Sequence, residues 1–114
     1  MGNRIIEMLH QIVSNIISFH TECDDFDGQL KKAVQLLSDE LIVFYYKAIN
    51  THSVEQYLSI VKDVVINLNS INKISDYRLI ETDEREQIYS LIEQVSSHLG
   101  YLFDYDITEE NREW

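Results

Sequence analysis

Glu7 and His10 stand three residues apart near the start of the chain. That Glu-x-x-His spacing puts a carboxylate and an imidazole on one helix face, the arrangement that di-iron bundles use twice. Only one copy is present, because Glu93 and His98 are five residues apart and point away from each other on a helix. The stretch "ECDDFDG", Glu22 to Gly28, packs carboxylates ahead of a glycine as a calcium loop does. With Gly28 in the sixth position, the first ligand position is Cys23 and the twelfth is Val34. The entering carboxylate and the closing bidentate glutamate are then both missing. Four scattered histidines and one cysteine do not make a tetrahedral zinc set. Cys23 sits among Glu22, Asp24 and Asp25, without the positive charge that activates a nucleophilic cysteine. The expectation is no metal, no cofactor and no catalytic residue.

One further stretch approaches an enzyme motif. In "RIIEMLH", Arg4 and His10 are separated by five residues. This resembles the motif of HEPN-type ribonucleases, which are small helical bundles. The resemblance implies that Arg4 and His10 act on RNA phosphate. It covers seven residues at the extreme N-terminus, instead of a later helix, in a chain whose acidity repels that substrate. No Gly-rich phosphate loop, Ser-His-Asp arrangement or aromatic–basic RNA stripe accompanies it.

The elements that would position these groups read as helices. A chain of 114 residues is one domain by length, here 1–114, and 45% hydrophobic content is enough for a core. With no proline and three glycines, it lacks the turn residues of a β-rich domain. Ile5, Leu9, Ile12, Ile16 and Phe19 recur at helical spacing and predict a first helix over 3–20, capped by Asn3. Leu30, Val34, Leu37, Leu41, Phe44, Tyr45, Ala48 and Ile49 predict a second over 29–50, running on through Ser38. Ser53 with Gln56 forms a capping box that starts a third helix at Val54, with Val54, Tyr57, Leu58, Val61, Val65 and Leu68 facing inward. The asparagine-rich run 67–83 reads as the longest connection. Thr82 then caps a fourth helix lined by Ile88, Leu91, Ile92, Val95 and Leu99, which Gly100 closes. Thr108 starts a short last turn. The expected fold is all-α: four main helices in a compact bundle plus a short C-terminal helical turn.

Nine basic and twenty acidic residues leave a net charge of −11. That balance disfavours nucleic acid and anionic membrane surfaces and favours a basic partner. The lone cysteine fits a reducing compartment, and the N-terminal stretch is too interrupted by polar residues for a signal or an anchor, so the expected location is cytoplasmic. The acid is concentrated at the end. Residues 101–114 hold one base, Arg112, against Asp104, Asp106, Glu109, Glu110 and Glu113. Tyr105 and Trp114 stand among them, and aromatics beside carboxylates have the composition of an electrostatically steered protein-binding surface. Asp104, Tyr105, Asp106, Glu109, Glu110, Glu113 and Trp114 are therefore the first-choice partner-binding residues. Two smaller clusters, Glu22/Asp24/Asp25/Asp27 and Glu81/Asp83/Glu84/Glu86, are the second choice.

A small acidic helical chain ending in "DITEENREW" resembles the immunity proteins of bacterial toxin systems, such as contact-dependent growth inhibition. The resemblance implies a noncovalent inhibitor, without cofactor, that occludes the active site of one basic toxin domain, often a nuclease. The alternative expectation is a helical scaffold or regulatory module that could homodimerise through an apolar helix face.

Overall fold

The computed structural model describes residues 2–114, and its helices are α1 (Gly2–Glu22), α2 (Gly28–Ala48), α3 (Val54–Ile74) and α4 (Thr82–His98). Among the described residues there is no strand, and the all-α class is what the chain adopts. α2 packs mainly on α3 as a hairpin, α1 packs mainly on α4, and a smaller α1–α2 contact joins the pairs. The core forms where the apolar stripes meet, around Ile12, Ile16, Leu37, Leu41, Phe44, Leu68, Ile88 and Ile92, with Leu79 added from the α3–α4 connection. Each such side chain contributes about 1.5–3 kcal/mol on burial, which is why the stripes decide the architecture.

The helix ends follow from short-range hydrogen bonding. Asp27 caps α2 by accepting the Leu30 N–H at 3.0 Å. Ser53 caps α3 by accepting the Gln56 N–H at 3.1 Å, while Gln56 reaches back to the His52 N–H at 2.7 Å. At α4 the cap is Glu81 and Thr82 is the first helical residue, so the helix starts one place earlier than expected; Glu84 accepts the Glu81 N–H at 3.1 Å. Gly100 ends α4 at φ +84°, and the N–H groups of Gly100 and Tyr101 bond to the carbonyls of Ser97 and Ser96. This is a Schellman closure, the conformation that glycine tolerates best.

Several expectations need correction. α1 begins at Gly2 and ends at Glu22, so Asn3 lies inside the first turn instead of capping it. Phe19 is 51% exposed, and the inward position is taken by His20. On α2, Ile49 is exposed and Ala33 buried, although the helix does run unbroken through Ser38. The largest difference is in 67–83. α3 continues to Ile74, and the connection is only residues 75–81. The asparagines that looked like loop are buried helix residues with specific partners: Asn72 Oδ1 accepts the Ile80 N–H at 3.0 Å, and Asn69 holds the C-terminal tail. The direction change itself falls on Asp76 and Tyr77, at φ 56° and 64°.

Tyr57 joins three elements. Its ring is fully buried in α3, and its hydroxyl donates to the Ile92 carbonyl of α4 at 3.1 Å beside Ser96 Oγ at 2.5 Å. Burial pushes that hydroxyl up to about 12. Tyr101 and Phe103 from the tail pack on the ring at 5.2 and 6.4 Å between centroids. Replacing Tyr57 with Phe removes the hydroxyl's bonds to Ile92 and Ser96, which keep only the Ser96 Oγ to Ile92 carbonyl bond at 3.0 Å. Urea denaturation should show a loss of about 1–2 kcal/mol with an unchanged slope; undiminished stability would contradict this role.

Candidate partner-binding groove

Along α1, positions 4, 7, 8, 11, 15, 18, 19 and 22 form one stripe at helical spacing, beside the stripe that enters the core. The first turns of α4, residues 81–90, lie against it. Between the two helices runs an open groove of about 1040 Å³. Met8 and Ile12 give it an apolar floor, and Phe19 stands exposed at its edge. Glu7 and Glu22 of α1 and Glu81, Asp83, Glu84 and Glu86 of the α4 start all line it, with Arg4 as the one base in the lining. No ion pair among the described residues involves any of these six carboxylates.

Local structure explains part of this. Asp83 and Glu84 occupy the first turn of α4, where the helix dipole favours negative charge. Glu84 is held above its ordinary value, first by burial and then by the repulsion of Glu81 and Asp83, against the opposing bond to the Glu81 N–H. The charge is therefore gathered beyond what the helix end needs for capping. Gln87 also lines the groove, and its Oε1 is shielded without a hydrogen-bond donor.

The second acidic cluster is divided by the fold. Glu22 enters the groove, whereas Asp24 is an exposed residue in the left-handed region at φ 56°. Asp25 and Asp27 belong to a polar clasp. His20 is buried at 4% exposure, with Nδ1 2.7 Å from Asp25 Oδ1 and Nε2 3.1 Å from the Arg78 carbonyl. A carbonyl only accepts, so Nε2 is the donor there. The Arg78 guanidinium bonds to Asp27 Oδ2 at 2.8 Å, the Ser75 carbonyl at 2.8 Å and the Asp25 carbonyl at 3.2 Å. The Leu30 N–H and then Arg78 hold the Asp27 carboxyl below the usual carboxylate range. Arg78 was not legible as a partner for residues some fifty positions away.

The tail residues also divide into two sets. Asp104, Tyr105, Glu109 and Glu110 are exposed. Tyr105, Glu109 and Glu110 border a hollow of about 650 Å³ against Glu55, Leu58 and Lys62 of α3. Asp106 is engaged internally: Oδ1 accepts the Thr108 N–H at 2.8 Å and Oδ2 accepts from Arg112 at 2.8 Å. Burial works against its ionisation, but Thr108 and then Arg112 outweigh it and hold the carboxyl low. Asp106, not Thr108, thus starts the last turn, which continues from Glu109 to Arg112. Asn69 of α3 straps the end down, donating to the Asn111 carbonyl at 2.8 Å and accepting the Glu113 N–H at 3.0 Å. Trp114 packs on the core with Arg112 5.6 Å from its ring, and its Nε1 is shielded without an acceptor.

Among the described residues no three His, Cys, Asp or Glu side chains converge as a metal site, and no helix is long and apolar enough to cross a membrane. Arg4 and His10 are both exposed; Arg4 lines the groove and His10 lies outside its lining.

The raised Glu84 carboxyl gives the groove a pH signature. Above the ordinary glutamate value of 4.5, the unfolded chain releases this proton more readily than the folded one. Its contribution therefore falls as pH rises from there through the higher folded value, and is recovered on acidification. Glu84→Gln keeps the capping acceptor and removes the charge. The variant should be at least as stable as wild type at neutral pH, with the difference closing as pH falls below 4.5. Parallel stability–pH curves would contradict the assignment. No protein-family model, curated protein or solved structure matches this chain, so the reading of the groove rests on its own geometry and charge.

Proposed function

We propose that the protein is a noncovalent inhibitor of a basic protein domain, of the immunity type found in bacterial toxin systems. One observation carries the reading: six carboxylates share the α1–α4 groove, and none of them is in an ion pair among the described residues. Such a surface repels nucleic acid and raises the encounter rate with a protein of opposite charge. A nuclease toxin fits that chemistry, because a cleft built for phosphates is lined by cations that carboxylates can occupy. The exposed acids of the tail, Asp104, Glu109 and Glu110, extend the same field over a second face.

The test begins with the purified chain as bait in lysate of its native host, washed at low and high salt. A basic domain retained at low salt should be toxic when expressed alone and harmless when this chain is co-expressed. Reversing Glu81, Asp83 and Glu86 to lysine should slow association with it on the order of tenfold or more and weaken the salt dependence. The corresponding reversal of Glu109, Glu110 and Glu113 measures the share of the tail. A retained partner that is acidic, or nontoxic with unaltered binding by both variants, would overturn the reading.

A second reading has its own observation. Ile42, Val43, Tyr46 and Ile49 are exposed along one side of α2, Tyr46 at 58%. That face would serve a homodimeric scaffold. Sedimentation showing a salt-insensitive dimer that Tyr46→Glu dissolves would favour it; a monomer at all concentrations would dispose of it.

A further inference from the structure

We infer that the occupant of the α1–α4 groove is a basic amphipathic helix of the partner, lying antiparallel to α1. The inference rests on the basic-partner reading and adds the shape and direction of what binds. The groove lining runs on α1 from Arg4 to Glu22, about 27 Å at the helical rise, the length of a helix of about 18 residues. Its walls are two neighbouring helices and its floor carries Met8 and Ile12, the setting in which a third helix seats an apolar stripe. The carboxylates flank that floor, so the matching helix has cations on either side of its apolar face.

Polarity along the groove sets the direction. Five of the six carboxylates, Glu22, Glu81, Asp83, Glu84 and Glu86, lie on the C-terminal end of α1 or the start of α4, and Arg4 lies at the other end of α1. A helix N-terminus carries partial positive charge and its C-terminus partial negative charge. The bound helix therefore points its N-terminus at the carboxylates and its C-terminus at Arg4.

The probe is a synthetic peptide of about 18 residues, the groove length set by the helical rise, with a leucine stripe flanked by lysines. Its control has the same charge and composition but two central prolines. Backbone amide shifts of the full chain are followed during titration with each. The helical peptide should move Gln11, Asn15, Gln87 and Ser90 and bind at least on the order of tenfold more tightly than the control. A spin label on its N-terminus should broaden Glu22 and Asp83, not Arg4. Equal affinity for the two peptides, shifts confined to the tail, or no binding would overturn the helix inference. The basic-partner reading is judged separately, on the retained toxin and its charge-reversal variants, and survives if the partner binds while the peptide does not. Broadening at Arg4 with the other results intact would reverse only the direction and so refute the inference as stated.

Discussion

The hydrogen bond from His20 Nε2 to the carbonyl of Arg78 holds the connection that leads into α4 against the end of α1. It ties the last turn of α1 to the α3–α4 connection, and the Arg78 side chain carries the tie on to Asp25 and Asp27 ahead of α2. Buried polar groups are costly when left unpaired, so the cluster holds as a unit. Once it is formed, the start of α4 lies beside the end of α1, and the two helices run side by side with Glu22 facing Glu81, Asp83 and Glu84 across the groove. The groove is a consequence of that registration.

The clasp also sorts the acidic residues. Asp25, Asp27 and Asp106 each have a histidine or arginine partner, and two of the three are held ionised by their bonds. Among the described residues the groove carboxylates form no ion pair, and Glu84 is held above its ordinary value by burial and by its acidic neighbours, against a weaker pull from His20. A protein selected only for stability would disperse such charge or place lysines opposite it. Concentrated and unneutralised, it costs stability in the free protein, and that repulsion is relieved when a cation arrives. In the proposed inhibitor, part of the affinity comes from this relief.

Much of the fold was legible in the sequence, because apolar spacing of the helical period directly reports which face is buried. The start of α3 at Val54 and the Gly100 closure could be read from single residues, since each depends on local hydrogen bonds or on a φ that glycine favours. The asparagines of α3 could not. Asn69 and Asn72 look like loop residues until their partners, Asn111, Glu113 and Ile80, are brought up from elsewhere in the chain. The groove followed the same pattern. Glu81, Asp83, Glu84 and Glu86 stood out as a run, but Glu7 was noticed only for its spacing to His10. Its place on the Glu22 stripe could be seen on a helical wheel, whereas the joining of that stripe to α4 depends on the His20–Arg78 contact. In the tail, density of charge along the chain does not reveal that Asp106 and Trp114 are turned inward by Thr108, Arg112 and the core.

The central claim is that the groove carboxylates meet a partner's cations. Zero-length carbodiimide cross-linking of the isolated complex, read by mass spectrometry, tests it directly, because an amide forms only where a carboxylate already touches a lysine. The account predicts links from Glu7, Glu22, Glu81, Asp83 or Glu86 to lysines of the partner. Links confined to Asp104, Glu109, Glu110 or Glu113 would contradict it and place the interface on the tail.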